Sequence, residues 1–139
     1  MQFKSIVRGM KSRGFDQKYG SGQFGASRDH GKRHHSGLDV LAAAREPVFS
    51  PIDGEVIREA VPYPPFSGLL IRGTGEYAGY EVKLFYVDGL MCGPCKAGSI
   101  VGYAENLGVK YPGIPNHVHM EVRSKGTLVP PFQTYLMCF

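Results

Sequence analysis

The sequence predicts a mainly β fold, an antiparallel β-sheet domain with little helix and long loops. Turn-forming residues are frequent, with 19 Gly and 10 Pro among 139 residues, and they interrupt the chain at short intervals. The 8 Phe and 8 Tyr suit the half-buried surface of a sheet. Only residues 41–45 hint at helical spacing. The length is that of one globular domain, and no internal repeat or linker divides it.

The expected strands follow from short apolar or alternating runs bounded by turn residues. They cover residues 38–41, 47–51, 54–57, 69–72, 80–87, 100–103 and 117–122. The dipeptide Asp53-Gly54 predicts a hairpin turn between the second and third of these strands. Residues 61–67, which contain three prolines, and residues 111–115 are expected to be loops.

Positive charge is concentrated in residues 1–34, which carry eight basic and two acidic residues for a net +6. The remainder is −2 for a total of +4. We therefore divide the chain into a basic, irregular N-terminal arm (residues 1–34) and a β domain (residues 35–139). The arm predicts a protein partner with an acidic surface, or a sulfated glycan; the alternative is a solvated surface arm. No nucleic-acid-binding signature is present, and no apolar run approaches the roughly 18 residues of a membrane span.

Histidines and a carboxylate form two short motifs, H-x-x-x-D at His35 and Asp39 and H-x-H at His117 and His119. Residues i and i+2 of a strand share a face, so the last two imidazoles should project together. Zinc binds neutral imidazole nitrogens and carboxylate oxygens, usually as a tetrahedron. His35, Asp39 and one histidine of the second motif would supply three ligands and leave a position open, as in catalytic zinc sites. Gly37 would permit the bend between the first two. Either motif alone is more often an ordinary hydrogen-bonded histidine pair.

At these residues the chain resembles the lysostaphin-type (LytM-type) zinc endopeptidases, which carry H-x-x-x-D near their start and H-x-H near their end. It is more similar still to the leukocyte cell-derived chemotaxin branch of that superfamily. The similarity covers about residues 16–122, in the stretches 22–26, 35–41, 47–54, 82–86, 96–102 and 111–121. The resemblance implies one Zn²⁺ per chain on His35, Asp39 and His119. It leaves His117 as the non-ligand histidine and candidate catalytic base.

One residue that active endopeptidases need is missing from the resemblance. Their second non-ligand histidine follows a strand tyrosine by two residues, and here Tyr86-Val87-Asp88 places Asp88 at that position. A carboxylate would repel a developing oxyanion, and losing one such donor typically costs ~10²–10³ in rate. His30 or His34 could compensate only through their loop arrangement. The chemotaxin branch also lacks this histidine and is regarded as non-proteolytic.

The expected function is therefore a zinc-binding, non-catalytic, chemotaxin-like interaction domain, either a signalling ligand or a structural component of an assembly. The alternative is a zinc metalloendopeptidase that cleaves Gly-rich peptides or peptidoglycan cross-links.

The cysteines complicate the expected location. The secreted chemotaxins are held by disulfides whose positions here are other residues, among them Ala42. The three cysteines present, Cys92, Cys95 and Cys138, leave an odd thiol, and the N-terminus has no apolar signal region. These features favour an intracellular chain, while the resemblance favours an extracellular one. Cys92-Gly93-Pro94-Cys95 matches the thioredoxin tetrapeptide, but no long helix follows it, so we expect a local disulfide or two free thiols.

Overall fold

The computed structural model describes residues 2–10, 15–16, 20–21, 27–28, 33–34 and 37–129. The backbone of the four two-residue segments between residues 15 and 34 forms short strands. They are β1 (Phe15–Asp16), β2 (Gly20–Ser21), β3 (Ser27–Arg28) and β4 (Arg33–His34). Strand β1 pairs with β2, and β3 pairs with β4.

The body contains a main antiparallel sheet and a small three-stranded sheet. The main sheet consists of β5 (Leu38–Leu41), β7 (Gly54–Glu59), β8 (Gly68–Gly73), β9 (Tyr80–Phe85), β11 (Gly93–Cys95), β13 (His117–Ser124) and β14 (Thr127–Val129). The small sheet consists of β6 (Pro47–Phe49), β10 (Val87–Gly89) and β12 (Ile100–Ala104). Two 3₁₀ turns, Gly75–Tyr77 and Leu107–Val109, are the helical elements of the described residues. The mainly β fold with little helix is confirmed, and residues 41–45 form no helix.

Strand β13 is the centre of the main sheet. One edge pairs with β9, while the other pairs with β5 over its first half and with β14 over its second. The sheet continues from β9 through β8 and β7 to β11. Val118, Met120 and Val122 are fully buried in the core, so the alternate residues of β13 must occupy the opposite face.

The predicted hairpin at Asp53-Gly54 is wrong, because the two flanking strands belong to different sheets. Strand β6 pairs with β12, and β7 pairs with β8 and β11. Asp53 does not stabilise a local turn, since its carboxylate accepts a hydrogen bond from the Ala97 amide at 2.8 Å. Gly54 packs against the carbonyl oxygen of Arg72, where a side chain would collide. Ile52, in the segment that connects β6 to β7, is fully buried.

The strand predicted for residues 80–87 is broken at Tyr86. This residue has φ 67°, a left-handed conformation that is rare for a bulky side chain. Its amide donates to the carbonyl oxygen of Ser67 at 2.8 Å, and its own carbonyl accepts from the Glu105 amide at 2.9 Å. These two bonds hold a kink that moves the chain from the main sheet into the small sheet.

The start of the basic arm packs on the body. Phe3, Ile6 and Val7 are buried in the core, and the Phe49 amide donates to the Ile6 carbonyl at 2.7 Å. The arm boundary at residue 34 lies in a stretch whose side chains are outside the described residues, so it stays a prediction. No helix in the described part of the chain is long and apolar enough to cross a membrane.

Candidate metal centre

The candidate metal centre begins at one cross-strand pair, Asp39 on β5 opposite His119 on β13. Directly opposed residues of an antiparallel pair share a face and lie close together. The His119 Nδ1 atom is 3.0 Å from Asp39 Oδ1. Both side chains are buried, with 7% and 3% of their surface exposed. Strand pairing therefore brings two of the predicted ligands together from positions 80 residues apart.

His117 projects from the same face as His119 and is also buried. Its Nδ1 atom is 2.8 Å from the carbonyl oxygen of Pro115. A carbonyl only accepts hydrogen bonds, so Nδ1 must carry the hydrogen. In neutral His117 the lone pair is then on Nε2, which lies 3.5 Å from Asp39 Oδ2. The nitrogen that faces the carboxylate is therefore the basic one, as a candidate base requires.

Sequence reasoning missed Glu121, a third member of this face. Its Oε2 atom is 2.9 Å from His119 Nε2, and its Oε1 atom accepts from Arg123 Nη1 at 3.3 Å. Because carboxylates only accept hydrogen bonds, both nitrogens of His119 carry a hydrogen in this arrangement, Nε2 towards Glu121 and Nδ1 towards Asp39. The signal was present, since Glu121 follows H-x-H at the next position of the same strand face.

The pKa of His119 reflects two opposing causes. Burial lowers the pKa, but hydrogen bonds and the negative charges of Asp39 and Glu121 outweigh burial and raise the pKa above its ordinary value. Without another cation, the imidazole between two carboxylates therefore favours its protonated form.

Aromatic rings fix the orientation of both imidazoles. The Phe85 ring stacks on His119 with centroids 5.4 Å apart and an interplanar angle of 9°. The Tyr86 ring meets His117 edge-on at 5.6 Å and 89°. The kink at Tyr86 thus delivers an aromatic ring to the site. Packed rings of this kind limit the rotamers that a ligand or base would otherwise sample.

A tyrosine cluster adjoins His117. The Tyr63 hydroxyl is 2.6 Å from that of Tyr111 and 3.2 Å from that of Tyr86. Burial raises the pKa of Tyr63 to about 12. The neighbouring Tyr86 and the negative charge of Asp39 also raise this pKa, whereas the hydrogen bond with Tyr111 lowers it. The Lys110 ammonium lies 4.6 Å from the centre of the Tyr63 ring. The Tyr63 hydroxyl is therefore a neutral hydrogen-bonding group at neutral pH.

Gly37 is required for close approach. A side chain there would collide with the carbonyl oxygen of Met120 and would come within 2.9 Å of the His119 imidazole. Its backbone therefore packs directly against the candidate ligand. Residues 35 and 36 lie outside the described residues, so the predicted bend between His35 and Asp39 stays a prediction.

The other residues singled out by the sequence lie elsewhere or outside the described part. Asp88 is exposed and pairs with Arg45 at 3.2 Å. Of the two expected states, a local disulfide or two free thiols, the structure has Cys92 and Cys95 as free thiols. The side chains of His30, His34, His35 and Cys138 lie outside the described residues.

The described residues fit a zinc site in donor type but do not complete one. A tetrahedral zinc would hold an imidazole nitrogen and a carboxylate oxygen about 3.4 Å apart, so the 3.0 Å between His119 and Asp39 needs only a small widening. Glu121 is bound to the far nitrogen of His119 and is placed as an outer partner. Among the described residues no group of three or more potential ligands could hold a metal ion. The predicted third ligand, His35, lies outside the described residues.

Solved structures identify the class of fold. The chain matches a zinc-containing peptidase from Vibrio cholerae with a TM-score of 0.59 and 21% identity, over 91% of this chain and 39% of that one. It matches LytU with a TM-score of 0.62 and 24% identity, over 84% and 77%, and lysostaphin with 0.61 and 18%, over 79% and 46%. The fold is that of the lysostaphin-type peptidases.

Sequence relatives identify the family within that fold. No protein-family model matches the chain. Leukocyte cell-derived chemotaxin-2 of Mus musculus is 37% identical over 106 residues, which are 74% of this chain and 68% of the relative. The Bos taurus protein of the same name is 31% identical over the same shares. The chain belongs to the leukocyte cell-derived chemotaxin-2 family.

Proposed function

We propose that this domain binds one zinc ion through His35, Asp39 and His119 and acts as a non-catalytic interaction domain. The observation that carries the proposal is the buried pair of Asp39 and His119, with ligand atoms 3.0 Å apart on paired strands. A zinc-containing peptidase of the same fold supports the choice of metal. Relatives named as chemotaxins support a signalling role over a hydrolytic one.

The metal would act on the structure through its ligands. Coordination by His35, Asp39 and His119 would tie the start of β5 to the centre of β13. When bound, zinc supplies a positive charge between groups that otherwise depend on a proton. Binding to the folded state alone would stabilise the domain in proportion to the logarithm of the zinc concentration.

The non-catalytic part of the proposal is supported by Asp88. Amide hydrolysis needs donors aimed at the developing oxyanion. An ionised carboxylate is only an acceptor, and Asp88 is exposed and engaged with Arg45. His117 alone would then have to perform both proton transfer and charge stabilisation.

Metal analysis tests the zinc site. Protein stripped with a chelator and reloaded should contain about one zinc per chain, and His119→Ala should lose it. His117→Ala is the matched control, because it removes a neighbouring imidazole that is not a ligand. Affinity should already fall as the pH drops towards the raised pKa of His119, above the ordinary value of 6.5, since zinc needs the neutral imidazole. Full occupancy in the His35→Ala/Asp39→Ala double variant would refute the site.

A zinc endopeptidase is the second candidate, and the basic Nε2 atom of His117 favours it. Zinc-loaded protein should be assayed on pentaglycine and on peptidoglycan. We expect no turnover above the background of the His119→Ala variant. Turnover that His117→Ala abolishes would replace the non-catalytic proposal.

We also propose that the basic arm binds an acidic protein surface, with a sulfated glycan as the second candidate. Deleting the whole arm would remove Phe3, Ile6 and Val7 from the core, so a truncated chain would test folding instead. The better variant replaces the basic residues of positions 11–33 with Gln. Unchanged affinity and salt dependence for the natural partner would leave the arm as a solvated surface.

A further inference from the structure

A charged groove of about 260 Å³ lies on the main sheet beside the metal centre. Four cations and two carboxylates line this polar groove, namely Arg58, Arg72, Lys83, Arg123, Glu81 and Glu121. Glu121 belongs to both features, since one of its oxygens contacts His119 and the other contacts Arg123. Glu121 therefore connects the candidate metal centre to the groove.

Strand register explains why these residues meet. Glu121 lies opposite Lys83, Lys83 opposite Leu70, and Leu70 opposite Arg58. The pairing of β7 with β8 shifts register between Val56 and Arg58. A bulge of this kind re-aims the side chains that follow it. The row of neighbouring residues therefore runs across the sheet from Glu121, which contacts His119, to Arg58.

Two of the four cations are matched by carboxylates and two are not. The matched pairs are Arg72 with Glu81 at 3.7 Å and Arg123 with Glu121 at 3.3 Å. Within the described residues the Lys83 side chain makes no ion pair or hydrogen bond, and the Arg58 guanidinium donates to the backbone oxygen of Glu59 at 2.8 Å. The six charged side chains of the polar groove therefore sum to +2, and neither Arg58 nor Lys83 has a counter-ion among the described residues.

We propose that the polar groove binds an acidic peptide segment of a partner protein, whose carboxylates pair with Arg58 and Lys83. This deepens the proposed interaction role and rests on it. Glu81 and Glu121 in the same groove would repel a uniformly charged polyanion such as a sulfated glycan or a nucleic acid. A peptide can place apolar or neutral residues opposite these carboxylates and over the buried Leu70, which also lines the groove.

A labelled decapeptide of alternating Glu and Gly is the probe, measured by fluorescence anisotropy on zinc-free and zinc-loaded protein. We expect binding that weakens with salt, because exposed charges are screened over ~10 Å at 0.1 M. Arg58→Gln/Lys83→Gln should lower affinity by ~2- to 30-fold, the range for losing two exposed ion pairs. The matched control, Lys96→Gln/Lys125→Gln, removes the same charge from exposed positions outside the groove and should lower affinity less than about twofold.

Three outcomes would overturn the proposal. The first is that the peptide does not bind, and the second is that both double variants lose affinity equally. The third is that a heparin oligosaccharide displaces the peptide and that its affinity depends more strongly on Arg58 and Lys83 than the affinity of the peptide does. Protein that binds zinc but not the peptide refutes the groove and leaves the metal site intact. Protein that binds the peptide but no zinc refutes the metal site and leaves the groove intact.

Discussion

The two faces of β13 are buried to nearly the same extent but differ in what stabilises them. One face is apolar and packs in the core, with Val118, Met120 and Val122. The other is polar, with His117, His119 and Glu121. The apolar face needs only suitable volume, because dispersion and the hydrophobic effect are not directional. The polar face needs a partner for each buried nitrogen and oxygen.

This difference separates stability from chemistry within one strand. Substitutions on the apolar face should change the free energy of unfolding and spare the site. Substitutions on the polar face should change metal affinity and spare much of the fold.

Met120→Ala should have the largest effect and tests the apolar face. Met120 is fully buried, and truncating such a side chain costs about 2–5 kcal/mol of unfolding free energy. Denaturant unfolding of metal-free protein measures this, with Met120→Leu as a volume-matched control expected to cost less than about 1.5 kcal/mol. A loss under about 1 kcal/mol for the alanine variant would contradict the view that this face carries stability.

Glu121→Gln tests the polar face and should act on metal affinity. Gln cannot provide the negative charge that holds the Nε2 hydrogen of His119, and losing such an outer partner typically costs 10- to 100-fold in affinity. Competition with a chromophoric chelator measures the change. Glu81→Gln is the charge-matched control, since Glu81 contacts Arg72 instead of a ligand. Equal affinities for the two variants would remove Glu121 from the site.

Tyr63 should lose its proton only at unusually high pH, which tests how well the tyrosine cluster beside His117 is shielded from solvent. With a folded-state pKa of about 12 against the ordinary tyrosine value of 10.0, the folded protein keeps the proton to a higher pH than the unfolded chain. The resulting stability is complete below pH 10 and is lost as the pH rises from 10 through about 12. Ultraviolet titration of tyrosinate should show a late step that Tyr63→Phe removes. A wild-type titration finished near pH 10 would show that the cluster is open to solvent.

Reduction should have the smallest effect. Cys92 and Cys95 are free thiols, and a bridge between them would close too short a loop to restrict the unfolded chain much. The thermal midpoint with and without reductant should therefore agree within about 2 °C. A drop of about ten degrees on reduction would mean that covalent cross-links, and not the apolar face, hold the fold.

Local patterns in the sequence were sufficient where the structural cause is local. The alternation from His117 to Val122 predicted a strand with a polar and an apolar face, because side chains alternate along any strand. Gly- and Pro-rich intervals predicted short strands with little helix. The pairing of H-x-x-x-D with H-x-H predicted that His35, Asp39 and a histidine of the second motif meet. Asp39 does lie beside His117 and His119, while the place of His35 stays a prediction.

Long-range contacts decided the rest. The Asp53-Gly54 signal predicted a local hairpin, yet β6 pairs with β12, which is distant in sequence, and β7 pairs with the strand that follows it, β8. The kink at Tyr86 depends on Ser67 and Glu105. The protonated state of His119 depends on Asp39 across the strand pair and on Glu121. A sequence shows which groups can accept or donate, but only the register of the folded sheet determines which of them come within 3 Å.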